Sequence, residues 1–149
     1  MIPTFSIITV VYNGAAVVEK TIQSVLNQTF RNYEYLIIDG ASKDETLNII
    51  KKYNALYPLS IQWVSERDNG LYDAMNKGLR LAKGRFVLFL NAGDALFEKT
   101  TLQKIAHHIK PETDVLFGET MLVNTEGVHL GTRSALTVQK LPENSRGKA

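Results

Sequence analysis

The stretch Phe5-Ser6-Ile7-Ile8-Thr9-Val10-Val11 is a run of apolar and β-branched residues without polar alternation. A strand with one face in water alternates in character, so an unbroken run marks a strand covered on both faces, as in a parallel sheet. Tyr12-Asn13-Gly14 ends the run with turn chemistry, and a helix is expected from Ala15 to Gln28, where Val18, Ile22, Val25 and Leu26 recur at helical spacing. Tyr33 to Ile38 (YEYLII) reads as a second strand, stopped at Asp39-Gly40. Ser42 and Glu45 have the spacing of a capping box, which would open a helix running through Tyr53.

Ile61 to Val64 is a third, shorter strand. The helix expected from Leu71 to Lys83 has one apolar stripe of Leu71, Ala74, Met75, Gly78, Leu79 and Ala82. Arg85 to Leu90 (RFVLFL) reads as another fully buried strand, punctuated by Asn91-Ala92-Gly93-Asp94. Leu102, Ile105, Ala106 and Ile109 mark a fourth helix before Pro111. Asp114 to Phe117 is expected to begin a late strand region, and Asn124 to Gly127 looks like a hairpin turn. The expected architecture is α/β: a mostly parallel sheet with helices on both faces, forming one domain over 1–140 with a loose polar tail over 141–149.

Composition narrows the function. The 149 residues carry 44% hydrophobic and 21% charged side chains, an ordinary globular mixture. A net charge of +2, from 17 basic and 15 acidic residues, gives no argument for nucleic acid. There is no cysteine, so disulfides and thiolate-bound zinc are excluded. No G-x-G-x-x-G follows the first strand and no Walker motif is present, which disfavours a dinucleotide-binding domain and excludes a P-loop enzyme. His107, His108 and His129 lack zinc-ligand spacing and read as surface residues. The N-terminus has no basic segment before its short apolar run, so the expected location is cytoplasmic, with docking at the inner face of the cell membrane left open.

Open α/β sheets bind ligands beyond the carboxyl ends of their strands. The residues there are Tyr12 and Asn13, Asp39, Glu66 to Asn69, and Asn91 to Asp94. Taken singly, Asp39 and Asp94 serve equally well as turn residues, Tyr12 as a packing residue, and Asp73 as an acid favouring a helix N-terminus.

The motifs FSIITVVYNG, TIQSVLNQTF, YEYLIIDGASKDET and ERDNGLYDAMNKGLRLAKGRFVLFLNAGD, in this order, resemble the donor-binding domain of family 2 glycosyltransferases of the GT-A, Rossmann-like type. The variant with YDAMNKG and NAGD looks closest to enzymes that build bacterial surface polysaccharides. The resemblance implies a nucleoside-diphosphate sugar as donor, a UDP-sugar above all, and a saccharide or lipid-linked acceptor reached by inverting transfer. It also implies Mg²⁺ or Mn²⁺ at Asp94. Asp39 matches the position that accepts the uracil imide hydrogen. Thr9 to Tyr12, including Val11, match the base-cradling stretch, and Asn13 follows them. Asp68, Asp73 and Asn76 fall in a segment that the resemblance places against the donor. Asn91 and Gly93 stand where the family carries further acids, and Gly40 replaces a second acid after strand two, so one carboxylate remains for a metal that should bind weakly without nucleotide.

Inverting transfer also needs a general base for the acceptor hydroxyl. Among the acids after Asp94, Glu119 is the candidate because it follows a strand-like run. The short remainder of the sequence suggests a donor-binding half truncated at its C-terminus. Two other classes stay open: a noncatalytic nucleotide-sugar-binding module, and a nucleotidyltransferase, which would want a Gly-rich, Arg-containing loop after strand one.

Overall fold

In the computed structural model, which describes residues 2–124 and 126–136, β1 (Phe5–Val11) is the second strand from one edge of a four-stranded sheet. It pairs in parallel with β2 (Tyr33–Asp39) on one side and with β4 (Phe86–Phe89) on the other, and β3 (Ile61–Ser65) lies outside β2. All seven residues of β1 are buried, as its unbroken apolar run requires. Strand parity divides the core. Phe5, Ile7, Val11, Tyr35 and Ile37 pack against α1 (Val18–Leu26), α2 (Thr46–Leu56) and α4 (Thr101–His107), through residues such as Ile22, Val25, Ile50 and Leu102. Ile8, Val10, Leu36 and Ile38 pack on the opposite face against Ala74 of α3 (Leu71–Leu81). The expected α/β layering with helices on both faces is therefore the observed one.

Three local expectations are corrected. Leu71 and Leu79 of the α3 stripe are exposed, while Ala74 and Gly78 are buried. The helix lies so close to the sheet that a Cβ on Gly78 would stand 2.5 Å from Ile8 Cγ2, so contact runs along its smallest residues and the leucines flank it. Secondly, β4 is an edge strand whose Val87 is exposed, rather than a fully buried one. Thirdly, Ser42 and Glu45 form no capping box. Glu45 precedes α2 without a side-chain cap, and Ser42 is drawn instead to Asp39.

The chain divides into two compact units, the first through Ile109 and the second from Lys110, where the sequence suggests one domain over 1–140. In the second unit, β5 (Met121–Val123) and β6 (His129–Thr132) pair antiparallel, with α5 (Arg133–Leu136) following. Gly127 N donates to Asn124 O at 3.0 Å, as a hairpin turn requires. Residues 114–117 form no strand: Val115 and Phe117 are exposed, and no neighbouring strand among the described residues takes up their backbone. The polar segment 141–149 lies outside the described residues. Among those described, no helix is long and apolar enough to cross a membrane.

Candidate donor-binding site

Parallel register brings three strand ends to one rim. Val11 is paired with Asp39, and Asp39 with Ser65. Asp39 has no exposed surface, and a buried carboxylate requires donors. It has them: Ser65 Oγ donates to Oδ2 at 2.6 Å, Ser42 N to Oδ2 at 3.1 Å, and the Ser42 hydroxyl to Oδ1. Glu66 N donates to Asp39 O at 3.0 Å, which sets the start of the loop after β3.

The turns after β1 and β2 are laced together. Asn13 N donates to Ser42 Oγ at 2.8 Å, and Asn13 Oδ1 accepts Lys43 N at 2.9 Å. Gly14 N and Ala15 N, the free amides ahead of α1, are taken by Thr46 Oγ1 and Asp44 Oδ2 at 2.9 and 3.0 Å. Asn13 and Ala41 both hold positive φ, 49° and 60°, a costly conformation for residues with a Cβ that the lacing maintains. Asn13 thus reaches the rim with its side-chain oxygen already engaged by the neighbouring loop.

Tyr12 is exposed and Asp68 half-buried, and the two meet at Gly40. A Cβ on Gly40 would lie 2.6 Å from Asp68 Oδ2 and 3.4 Å from Tyr12 Cδ2, so the absent side chain is what lets the Asp68 carboxylate in. Asp68 Oδ1 accepts Gly70 N at 2.9 Å, which leaves Oδ2 on the Gly40 side. Asp73 is committed locally: Oδ2 accepts Asn69 N at 3.0 Å and faces Lys77 Nζ at 3.6 Å. The Asn69 N–H, and then the Lys77 charge, hold its pKa below the ordinary aspartate value. Lys77 also reaches Glu66 at 3.2 Å and Arg67 O at 2.7 Å, fixing the loop that carries Asp68. Asn76 is exposed on α3.

The side chains of Thr9 and Val11 do not reach the rim. Both are buried, and Thr9 Oγ1 is hydrogen-bonded to Tyr35 OH at 2.9 Å inside the core. Burial raises the Tyr35 pKa far above the ordinary tyrosine value, and the Thr9 hydroxyl only partly offsets this.

At the end of β4, Asp94 N donates to Asn91 O at 2.9 Å and closes a tight turn through Gly93, whose φ of 104° is accessible to glycine and strained for other residues. The Asp94 side chain is exposed and enters no hydrogen bond or ion pair among the described residues. Asn91 Oδ1 is buried and has no partner. No three acids, histidines or cysteines cluster among the described residues. A hard divalent cation takes oxygen ligands and accepts water or phosphate oxygens as part of its shell. One free carboxylate and one orphaned amide oxygen on the same turn fit such an ion if a diphosphate completes the coordination.

Glu119 belongs to the second unit. Its carboxylate accepts the Ser134 hydroxyl and, at 3.0 Å, Thr120 N. These bonds, Ser134 first, hold its pKa below the ordinary glutamate value, the direction opposite to the tuning of a base that works near neutrality.

Glycosyl transferase family 2 matches the chain over residues 6–148. This chain belongs to that family. A PGL/p-HBAD biosynthesis glycosyltransferase of Mycobacterium bovis is 37% identical over 125 residues, covering 83% of this chain and 49% of that protein. The poly(ribitol-phosphate) beta-N-acetylglucosaminyltransferase TarP of Staphylococcus aureus is 33% identical over 118 residues, 76% of this chain and 36% of TarP. Among solved structures, S. aureus TarS 1–349 in complex with UDP-GlcNAc superposes with a TM-score of 0.61 at 30% identity, covering 69% of this chain and 30% of that one. The mannosyltransferase PcManGT of Pyrobaculum calidifontis, in complex with GDP-Man and Mn²⁺, gives 0.61 at 26% identity, covering 65% and 29%. The chain therefore spans about half the length of the curated relatives it matches first. Around these strand ends the structure adds residues that the sequence reading did not count toward the site: Ser42, Ser65, Lys77 and Thr21. Ser65 emerges only from the β2–β3 register, whereas Thr21 was visible as a polar residue inside the apolar spacing of α1.

Proposed function

We propose that this chain binds a nucleoside-diphosphate sugar, with a UDP-sugar the preferred donor, and serves as the donor half of an inverting family 2 glycosyltransferase. The observation that carries the reading is the turn after β4, which holds Asn91, whose Oδ1 is buried without a partner, and Asp94, whose carboxylate is free. A buried acceptor left unsatisfied costs about 1–3 kcal/mol, which a ligand can recover. Asn91 and Asp94 would hold Mg²⁺ or Mn²⁺, and the cation would neutralise charge on the departing diphosphate. At the other end of the rim, the base would lie by Tyr12 and Asp68. Asp39 would accept the uracil imide hydrogen after its covering side chains part, since the free protein buries it completely.

In the transfer itself, an acceptor hydroxyl oxygen attacks the anomeric carbon as the bond to the diphosphate breaks. The hydroxyl proton passes to a base. Glu119 is the candidate in this chain, and a partner chain is the alternative source. The acceptor in this reading is a saccharide or a lipid-linked one, and a lipid-linked acceptor would bring the protein to the inner face of the membrane.

Calorimetric titration of the chain with UDP, GDP, UDP-sugars and GDP-sugars, with Mn²⁺ or with EDTA, tests the reading. Tighter binding of uridine diphosphates than of guanosine diphosphates, enhanced by Mn²⁺, is expected. Absence of binding by every member of the panel would overturn it.

A further inference from the structure

Thr21 and Ser24 of α1, and Gln28 two residues past its end, follow one another at i, i+3 and i+7. Thr21 and Gln28 are buried as completely as their apolar neighbours. Buried hydroxyls and amides cost free energy unless they are hydrogen-bonded. All three are matched by the one segment that leaves β4. Gln28 Oε1 accepts Leu102 N at 3.0 Å, and its Nε2 donates to Glu98 O at 2.8 Å. Ser24 Oγ accepts Leu96 N at 3.1 Å. Thr21 Oγ1 accepts Gly93 N at 3.0 Å and donates to Asp94 O at 2.7 Å.

The Thr21 rung differs from the other two. Its two bonds bracket the Gly93–Asp94 pair, one on the amide that enters it and one on the carbonyl that leaves it. Between those fixed points lies the Asp94 Cα, so a single buried hydroxyl sets the direction in which the carboxylate leaves the chain. It does so at a backbone that Gly93 makes permissive, with φ of 104°. Ser24 and Gln28 hold the segment farther along and touch neither Asn91 nor Asp94.

We infer that Thr21 is a positioning residue for the cation and diphosphate end of the site, acting through the backbone of Gly93 and Asp94. The inference rests on the reading of Asn91 and Asp94 as the cation-holding turn. Groups that orient a metal ligand typically control about 10–100-fold in metal affinity.

The test compares wild type, Thr21→Val, Thr21→Ser and Ser24→Ala, measuring by calorimetry the affinity for uridine and, with Mn²⁺ or EDTA, for UDP. Thr21→Val keeps the volume and removes the hydroxyl. It should leave uridine affinity unchanged and reduce the Mn²⁺ enhancement of UDP binding by about 10-fold or more. Thr21→Ser should restore the enhancement, and Ser24→Ala, which loosens the same segment one turn on, should retain it. Full enhancement in Thr21→Val, or an equal loss in Ser24→Ala, would overturn the inference. If Thr21→Val does not fold, Thr21→Cys, of similar volume and a weaker hydrogen-bonding group, is held to the same expectation. A wild type that shows no Mn²⁺ enhancement refutes the cation reading itself before any variant is compared.

Discussion

Ser65 Oγ donates a 2.6 Å hydrogen bond to Asp39 Oδ2 across the β2–β3 pair that sets the two residues side by side. With the two bonds from Ser42, it holds a fully buried carboxylate in one orientation at the rim. An acid fixed in this way is suited either to receive one donor from a base or to brace the two loops that lean on it. The roles make different predictions.

If Asp39 accepts the imide hydrogen, Asp39→Ala should weaken UDP binding by about 1.5–3 kcal/mol, the range for hydrogen bonds to charged groups. In wild type, 3-methyluridine, which lacks that hydrogen, should bind more weakly than uridine. The difference should vanish in the variant. A methyl penalty that persists in Asp39→Ala would make Asp39 a brace only.

Asn91 offers a test in which stability and binding separate. Its Oδ1 lacks a partner in the free protein, so Asn91→Ala removes an unsatisfied acceptor. Thermal unfolding in EDTA should show a midpoint equal to or above that of wild type. The Mn²⁺ enhancement of UDP binding should fall, and it should disappear in Asp94→Ala, because cation and nucleotide complete one another's coordination. A lowered midpoint in Asn91→Ala would mean that the amide has a structural partner instead.

What the sequence revealed of this molecule follows from which signals are local. β1 was legible because burial on both faces leaves its mark on seven consecutive residues. The α3 stripe misled because a helix can approach a sheet along its smallest side chains, and Gly78 against Ile8 made that closer contact. Ser42 had capping-box spacing, but a buried carboxylate three residues earlier is the stronger attractor for its hydroxyl. Tyr12, Asp39 and Asp94 could be placed at the ends of β1, β2 and β4 because strand ends can be read off the chain. Ser65 and the Gly40–Asp68 contact depend on register and loop path, which no short window encodes.

The lacing of the first two turns should respond to acid. Asp44 accepts Thr46 Oγ1 at 2.5 Å and Ala15 N at 3.0 Å, and these bonds, Thr46 first, hold its pKa below the ordinary aspartate value. A carboxylate with a depressed folded-state pKa contributes stability that is full above its unfolded value, about 3.9, and is lost as the pH falls through the folded one. Thermal midpoints of wild type should therefore drop as pH falls below about 4. In Asp44→Asn the part of that drop due to this residue should be absent. Parallel pH profiles for the two proteins would remove Asp44 from the account.

The last prediction concerns the acid that Gly40 admits. A Cβ at residue 40 would meet Asp68 Oδ2 at 2.6 Å, closer than real contacts allow, so Gly40→Ala must displace that carboxylate. Displacement is feasible because the obstructing atom ends a side chain whose other oxygen already bonds Gly70 N. Tyr12 Cδ2, at 3.4 Å, is in ordinary contact and need move little. If the Asp68 carboxylate at Gly40 helps bind the nucleoside, Gly40→Ala and Asp68→Ala should each weaken uridine binding. Their effects should not add, because both remove the same group from the same place. A double-mutant cycle should then give a coupling of about 0.5–3 kcal/mol, with Gly40→Ala nearly silent in the Asp68→Ala background. Additive losses would mean that the methyl group acts on Tyr12 or on the Ala41 backbone, and that Asp68 contributes independently of Gly40.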